Sequence, residues 1–330
     1  MVRKSKRSKS RIGCFVAFLL VGVIIAFVCK SLIFAEHTQP LEENIDDRIT
    51  PFAENIDDNR STPFNTSVSI SFDTLNSPCA ILIRLNDQMV LAQKNSEERI
   101  YPASLTKIMT ALVAIENLPD LQKEIELTQS TFEGLYQAHA AMAGFLPREK
   151  IRAIDLLYGV LLPSGAESCR GLAEQIAGSE REFVRMMNQK AAVLGMNNTN
   201  FTNTIGLHDA EHYSTVKDLA ILLSYALQND TFREIFTSSR HSTRPTNIHP
   251  DGITFYSTIY EVLSNANISG GKILGGKTGY TKEAGLCLAS LAKVGKQEYI
   301  LITAGAKGDH NTEQYHITDA LTVYNSLETE

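Results

Sequence analysis

The sequence predicts an α+β fold, an antiparallel sheet flanked by helices. Three stretches carry that expectation. Residues 80–92 read as a β-hairpin: 80–85 are apolar except for Arg84, Asn86-Asp87 supplies a turn, and 89–92 return. The middle third places apolar residues at helical spacing. The last third turns back to apolar runs punctuated by glycine and closes on an amphipathic helix. Strands, then helices, then strands imply a sheet built from both ends of the globular region, with an all-helical subdomain beside it.

The elements follow in order. Globular sequence begins near Val68, so 68–330 reads as one domain. After the hairpin, a helix opens near Ser104. Residues 125–128 look like a short strand. Residues 151–162 carry helical periodicity and stop at Pro163. Residues 171–177, 182–194 and 215–228 also read as helices. Gly270-Gly271 and Gly275-Gly276 bracket Lys272-Ile273-Leu274, and a strand opens at Gly276. Residues 285–294 and 298–306 pair about the turn Gly295-Lys296, and 312–327 form the closing helix.

Ahead of this domain the charge is unevenly placed. The 330 residues carry a net charge of −6. Arg3, Lys4, Lys6, Arg7, Lys9 and Arg11 crowd residues 1–11, and residues 12–29 hold no charge at all. A helix of that length just crosses a bilayer core, and basic residues before it keep the N-terminus in the cytoplasm. The reading is a cytoplasmic tail over 1–11 and a single-pass transmembrane signal-anchor over 12–34, with everything beyond it extracytoplasmic. A cleavable signal peptide is the competing reading, with Ile33-Phe34-Ala35 as a mediocre cleavage site. Residues 35–67 form an acidic spacer with an internal duplication: Glu43-Asn44-Ile45-Asp46-Asp47 returns as Glu54-Asn55-Ile56-Asp57-Asp58. Such short charged units build no core. Setting aside the seven basic residues of 1–30 leaves the rest at −13, which argues against a nucleic-acid partner.

Cys79, Cys169 and Cys287 are odd in number and lack metal-site spacing, so they read as small buried apolar residues. His139, His208, His212, His249 and His316 show no ligand pattern, and no metal or cofactor is expected.

The chemistry concentrates in three motifs. The first is Ser104-Leu105-Thr106-Lys107. Positions three apart share a helix face, so the two side chains stand together. A hydroxyl is a weak nucleophile unless a base takes its proton, and a lysine whose pKa burial depresses can be that base. The helix N-terminus favours a developing oxyanion. Ser-x-x-Lys recurs at Ser214, Ser269 and Ser290, so this motif alone is unspecific. The second is Pro163-Ser164-Gly165-Ala166, a serine on a turn after a helix. The third is Lys277-Thr278-Gly279-Tyr280.

In this order and spacing the three resemble the active-site triple of penicillin-binding proteins and serine β-lactamases. Asp155-Leu156-Leu157-Tyr158-Gly159, Gly206-Leu207, His212-Tyr213-Ser214 and Gly275-Gly276-Lys277-Thr278-Gly279-Tyr280-Thr281 narrow the resemblance to the S11 serine D-alanyl-D-alanine carboxypeptidases, over roughly residues 75–327. The resemblance implies the β-lactamase/transpeptidase-like fold with the site between sheet and helical subdomain. It implies catalytic roles for Ser104 as acylated nucleophile, Lys107 as base and Ser164 as proton relay. Lys277 and Thr278 would bind the substrate carboxylate, Gly279 and Tyr280 would complete the substrate-binding edge, and the N–H groups of Ser104 and Tyr280 would form the oxyanion hole. The implied partners are peptidoglycan or its precursors and β-lactam antibiotics, with a possible accessory role in glycopeptide resistance.

One departure stands out. The second motif in the family usually ends in asparagine, and here Ala166 replaces it. A methyl supplies none of the amide's hydrogen bonds, so Ala166→Asn is expected to raise turnover if the site has room. Two other readings stay open. A β-lactamase would use a glutamate after the second motif, whereas Glu124-Ile125-Glu126-Leu127-Thr128 precedes it. A non-catalytic cell-wall-binding homologue is favoured by Ala166 and opposed by the intact serines and lysines.

Overall fold

The computed structural model describes residues 70–263 and 265–327. The expected cytoplasmic tail, membrane span and spacer lie outside these residues. In chain order the strands are β1 (Cys79–Arg84), β2 (Met89–Lys94), β3 (Glu124–Glu126), β4 (Lys150–Arg152), β5 (Arg240–Ser242), β6 (Thr254–Tyr256), β7 (Asn267–Ile268), β8 (Gly271–Thr281), β9 (Gly285–Val294) and β10 (Gln297–Ala306). The helices are α1 (Thr106–Asn117), α2 (Ala153–Leu161), α3 (Ala166–Ala177), α4 (Glu180–Val193), α5 (Val216–Ala226), α6 (Asp230–Thr237), α7 (Thr258–Val262) and α8 (Tyr315–Asn325). Among the described residues no helix is long and apolar enough to cross a membrane.

The main sheet runs β2-β1-β10-β9-β8-β7. The N-terminal hairpin therefore joins the C-terminal strands, with Cys79 opposite Ala304 and Arg84 opposite Tyr299. Both faces of this sheet are covered, which is why its strands read as continuous apolar runs. Ile81, Ile83, Ala289, Leu291, Ile300 and Ile302 face the helical layer. Ala80, Leu82, Leu288, Ala292 and Leu301 face Ile317, Ala320, Val323 and Tyr324 of α8. Alternation is hidden when both faces are dry.

The helical subdomain is organised on α1. Every residue from Thr106 to Ala114 is buried, and α1 touches α2, α3, α4, α5 and α6. A helix apolar on all sides belongs in the centre of a bundle. The five helices expected with stated bounds all appear with shifted ends. The helix expected over 171–177 starts five residues earlier, at Ala166, so the second motif leads directly into it.

The third motif does not open a strand. β8 runs through the glycine pair, and Lys277 lies in the middle of its 11 residues. Gly275 reads as a break only in isolation: a Cβ there would lie 2.2 Å from the carbonyl oxygen of Phe236, so α6 packs where a side chain would stand. The short elements α6, α7, β5 and β6 are additions that local periodicity does not announce.

Candidate active site

Ser104 sits in a 3₁₀ turn, Ala103–Leu105, that runs straight into α1. The expected α-helical first turn is thus tighter than predicted, but the juxtaposition holds: Lys107 Nζ lies 3.2 Å from Ser104 Oγ. Lys107 is buried and also donates to the carbonyl of Ile205 at 2.6 Å. That carbonyl is held in turn by Asn203, whose Oδ1 accepts the N–H groups of Ile205, Gly206 and Leu207. Gly206 has φ +82°, and a Cβ there would lie 1.8 Å from the carbonyl oxygen of Ala103. The Gly206-Leu207 signature is therefore the surface against which the Ser104 turn is moulded.

Ser164 lies on the loop between α2 and α3, its Oγ buried without a hydrogen-bond partner among the described residues. Two backbone bonds place the loop. Gly165 donates to the carbonyl of Gly159, and Ala166 donates to the carbonyl of Ala141, both at 2.8 Å. Ala103, His139 and Ser164 have φ of +46°, +49° and +67°. L-residues rarely adopt that region, and such strain collects at functional sites.

From the other side, β8 packs against the Ser104 turn. β7 pairs with β8 only at Gly271 and Lys272, which leaves the edge from Lys277 to Thr281 facing a cleft of about 300 Å³. Ser104, Lys107, Ser164, Lys277, Thr278, Gly279 and Tyr280 all line this cleft. All seven expected site residues therefore meet in one place. Lys277 is fully buried and donates to the carbonyl of Thr278 at 2.9 Å. The hydroxyls of Thr278 and Thr258 are 2.7 Å apart.

Burial lowers the pKa of Lys107, opposed by the Cys169 thiol and the Glu167 carboxyl. Burial drives Lys277 well below the ordinary lysine value, and the charge of Lys107 adds to that. Two ammonium groups in one dry site disfavour each other, so one lysine is readily neutral. The arrangement offers an oxygen nucleophile beside an amine whose charge burial disfavours, a second hydroxyl, and an open strand edge bearing a second buried lysine.

Several cleft residues were not expected. His139, Ala140 and Ala141 line one wall, Thr258 and Glu261 another, and His310, Gln314 and His316 the far end. His310 meets the Tyr280 ring edge-on, with centroids 5.0 Å apart. These residues come from irregular loops and helix ends whose placement no local motif signals. His212 does not line the cleft. Its Nδ1 accepts the N–H of Thr202 at 3.0 Å, which leaves Nε2–H to donate to Thr106 Oγ1 at 2.8 Å. Burial pushes it down to about 4. Cys79, Cys169 and Cys287 are free and buried, as expected. Among the described residues no cluster of His, Cys, Asp and Glu is placed to hold a metal ion.

Ala166 requires a correction. It is fully buried, belongs to the main apolar core and is not among the cleft-lining residues. The expectation that an asparagine would fit and raise turnover does not survive that packing.

Residues 65–308 match the sequence family described as peptidase S11, D-alanyl-D-alanine carboxypeptidase. The chain is 34% identical over 232 residues to the D-alanyl-D-alanine carboxypeptidase DacF of Bacillus subtilis, covering 69% of this chain and 57% of the relative. It is 31% identical over 259 residues to DacC of Escherichia coli, covering 75% and 61%. It thus spans about three fifths of the length of these relatives. The crystal structure of the Streptomyces K15 DD-transpeptidase superimposes with a TM-score of 0.68 at 25% identity, covering 77% of this chain and 97% of the other.

Proposed function

We propose that this chain, which belongs to the S11 family of D-alanyl-D-alanine carboxypeptidases, is a serine hydrolase that removes the terminal D-alanine of peptidoglycan stem peptides or their precursors through an acyl-enzyme. The observation that carries the reading is Ser104 Oγ 3.2 Å from the buried amine of Lys107, opposite the open edge of β8.

In this mechanism an extended peptide lies along that edge, as peptides add to exposed strands. Lys277 and Thr278 take the terminal carboxylate, whose arrival restores the charge that burial disfavours on Lys277. Neutral Lys107 accepts the Ser104 proton as Oγ bonds to the penultimate carbonyl carbon. The N–H groups of Ser104 and Tyr280 receive the oxyanion. Ser164 relays the proton to the departing amine, and water then releases the acyl group. β-Lactams acylate the same serine. The exposed side chains of Glu124 and Glu126 on β3 do not line the cleft, which weighs against a β-lactamase that deacylates through them.

Mass spectrometry of the protein with a D-Ala-D-Ala pentapeptide and with benzylpenicillin tests the reading. D-alanine release together with a long-lived penicillin adduct on Ser104 supports it. Rapid penicillin turnover points to a β-lactamase, and no adduct at all points to a binder without chemistry.

The uncharged run 12–29, within the signal-anchor read over 12–34, supports a further proposal, that the enzyme is anchored by a single span in a bacterial cell membrane with its catalytic domain outside. Retention in the membrane pellet after alkaline extraction checks this, and a mature N-terminus near Glu36 would instead mean cleavage.

A further inference from the structure

The loop Asn203-Thr204-Ile205-Gly206-Leu207 forms no regular element, yet its bonds are closely specified. Asn203 Oδ1 accepts three N–H groups of its own loop, from Ile205 at 3.2 Å, Gly206 at 2.7 Å and Leu207 at 3.1 Å. Three donors converging on one atom identify it as the amide oxygen. Asn203 Nδ2 donates to the Leu207 carbonyl at 3.0 Å. The loop is also clamped from outside. Glu180 Oε1 accepts the Thr204 N–H at 3.0 Å and its hydroxyl at 2.7 Å. The Thr204 carbonyl accepts Thr110 Oγ1 of α1 at 2.6 Å.

Glu180 and Thr110 hold the two peptide units before Ile205–Gly206, and Asn203 holds that third unit. The Ile205 C=O and the Gly206 N–H belong to one planar trans peptide, so they point in opposite directions. The N–H end is taken by Asn203. The C=O end is taken by Lys107, whose Nζ donates to it at 2.6 Å. Turned over, the same peptide would aim an N–H at the lysine, a donor facing a donor. Gly206, with no Cβ, leaves the backbone free to take either sense.

A neutral lysine amine has two N–H groups and one lone pair. With one N–H engaged by the Ile205 carbonyl, rotation about Cε–Nζ is restricted, and the lone pair is left for Ser104 Oγ, 3.2 Å away. We propose that Asn203 is a positioning residue for the base: it takes the Gly206 N–H, turns the Ile205 carbonyl onto Lys107, and so aims the amine at the Ser104 proton. This rests on the acyl-enzyme reading above. In the step, Ser104 Oγ bonds to the carbonyl carbon and its proton passes to Lys107 Nζ. The ammonium keeps the same carbonyl acceptor until a proton leaves through Ser164 to the departing amine. A hydrogen bond that strengthens as its donor becomes charged contributes most in the transition state.

Asn203→Ala removes the acceptor. Its acylation rate constant at saturating benzylpenicillin should fall about ten- to a hundred-fold, with the half-saturating concentration little changed. NMR of carbon-labelled lysine should show Lys107 titrating about one pH unit lower, because a hydrogen bond to the charged form is weakened, and the acid limb of the acylation profile should follow. The titratable groups facing Lys107 are Glu167 and Cys169 on α3, Lys277 on β8 and His212 ahead of α5. His212 Nδ1 is 3.5 Å from Asn203 Nδ2, but burial holds it at about 4, so above that pH its charge does not enter. Asn203→Asp keeps the acceptor oxygen and should recover most of the rate. Asp155→Ala breaks a buried ion pair with Arg152 outside the cleft and should lower stability without moving the Lys107 titration, so lost stability alone does not imitate the effect. The titration is read whether or not the protein acylates, which separates failure of this proposal from failure of the enzymatic reading. A folded Asn203→Ala protein with unchanged rate constant and Lys107 titration would overturn the proposal, as would an Asn203→Asp protein equally slow. In the wild-type protein, the Gly206 amide should exchange slowly and the Ile205 carbonyl carbon should shift with the Lys107 midpoint. If Asn203→Ala does not fold, a Gly206 amide that exchanges as fast as an open loop overturns the proposal by itself.

Discussion

Asp155 on α2 and Glu167 on α3 are both buried carboxylates on helices that touch, and the fold treats them in opposite ways. Asp155 is satisfied at both oxygens. Arg152 donates to Oδ2 through Nε at 2.7 Å and to Oδ1 at 2.8 Å, and His241 Nε2 is 2.7 Å from Oδ1. The Tyr158 ring stacks on His241 at 3.6 Å between centroids. Burial alone would raise Asp155, but the His241 and Arg152 contacts overcome it and hold the carboxyl below its ordinary value. Glu167 has one crowded oxygen and one idle one, and burial pushes its carboxyl up. Around it Ser164 Oγ is also unpartnered, and both lysines are depressed. The first region joins α2 to the β5–β6 hairpin and is built to stay together. The second leaves Glu167 Oε2 and Ser164 Oγ without partners, and of these two groups Ser164 lines the cleft where a substrate can reach it. Unsatisfied burial is a liability for stability and a resource for chemistry.

The sharpest way to break this contrast is to remove one group from each region. Ser104→Ala should abolish benzylpenicillin labelling, a loss of at least about a thousand-fold, while the melting temperature stays at the wild-type value. An adduct that persists, or that maps to Ser164, would mean the nucleophile is misassigned. Asp155→Ala should do the reverse. Leaving Arg152 and His241 without their partner costs about 3–5 kcal/mol in denaturant unfolding, with the acylation rate per folded molecule unaltered. A large rate loss with full stability would merge the two regions.

A third test uses pH. Burial holds His212 and His316 at about 4, against an ordinary 6.5. The unfolded chain then takes up protons that the folded one refuses. Their contribution is fully present above pH 6.5 and is lost as pH falls toward 4, on the order of 3 kcal/mol each at most. The contribution of Asp155 is lost only lower, below its ordinary 3.8. Unfolding free energy measured from pH 7 to 3 should therefore fall in two stages, and His212→Gln should flatten the first. A single fall confined below pH 4 would contradict the assignment.

The smallest effect is expected at Ala166. Ala166→Asn should destabilise the protein by about 1–3 kcal/mol through overpacking and slow acylation by about ten-fold or less. A gain in kcat/KM would show that the site accommodates the amide after all.

The site was more legible in the sequence than the path that builds it. Ser104 and Lys107 are three residues apart, so helical geometry alone sets them together, and a 3₁₀ start does not undo that. The hairpin, the helix that opens near Ser104 and the closing helix are likewise local properties, written as period and turn chemistry. Asp155, Gly206 and His212 carried a family signature without a visible reason. Asp155 finds His241 86 residues away, and His212 finds Thr106 at a separation of 106. Partners that distant obey no spacing rule.

What the sequence determined by itself was the class of fold, the nucleophile with its base, and the strand that bears Lys277, because each depends on neighbours along the chain. Tertiary structure decided the rest. The depth at which Lys107 and Lys277 are buried sets their protonation. Packing put Ala166 in the apolar core and off the cleft lining. Packing between separate segments brought Ile205, 98 residues from Lys107, together with His139 and Thr258 to the cleft. Desolvation and close packing are properties of a filled volume, and a volume is defined only once distant segments have met.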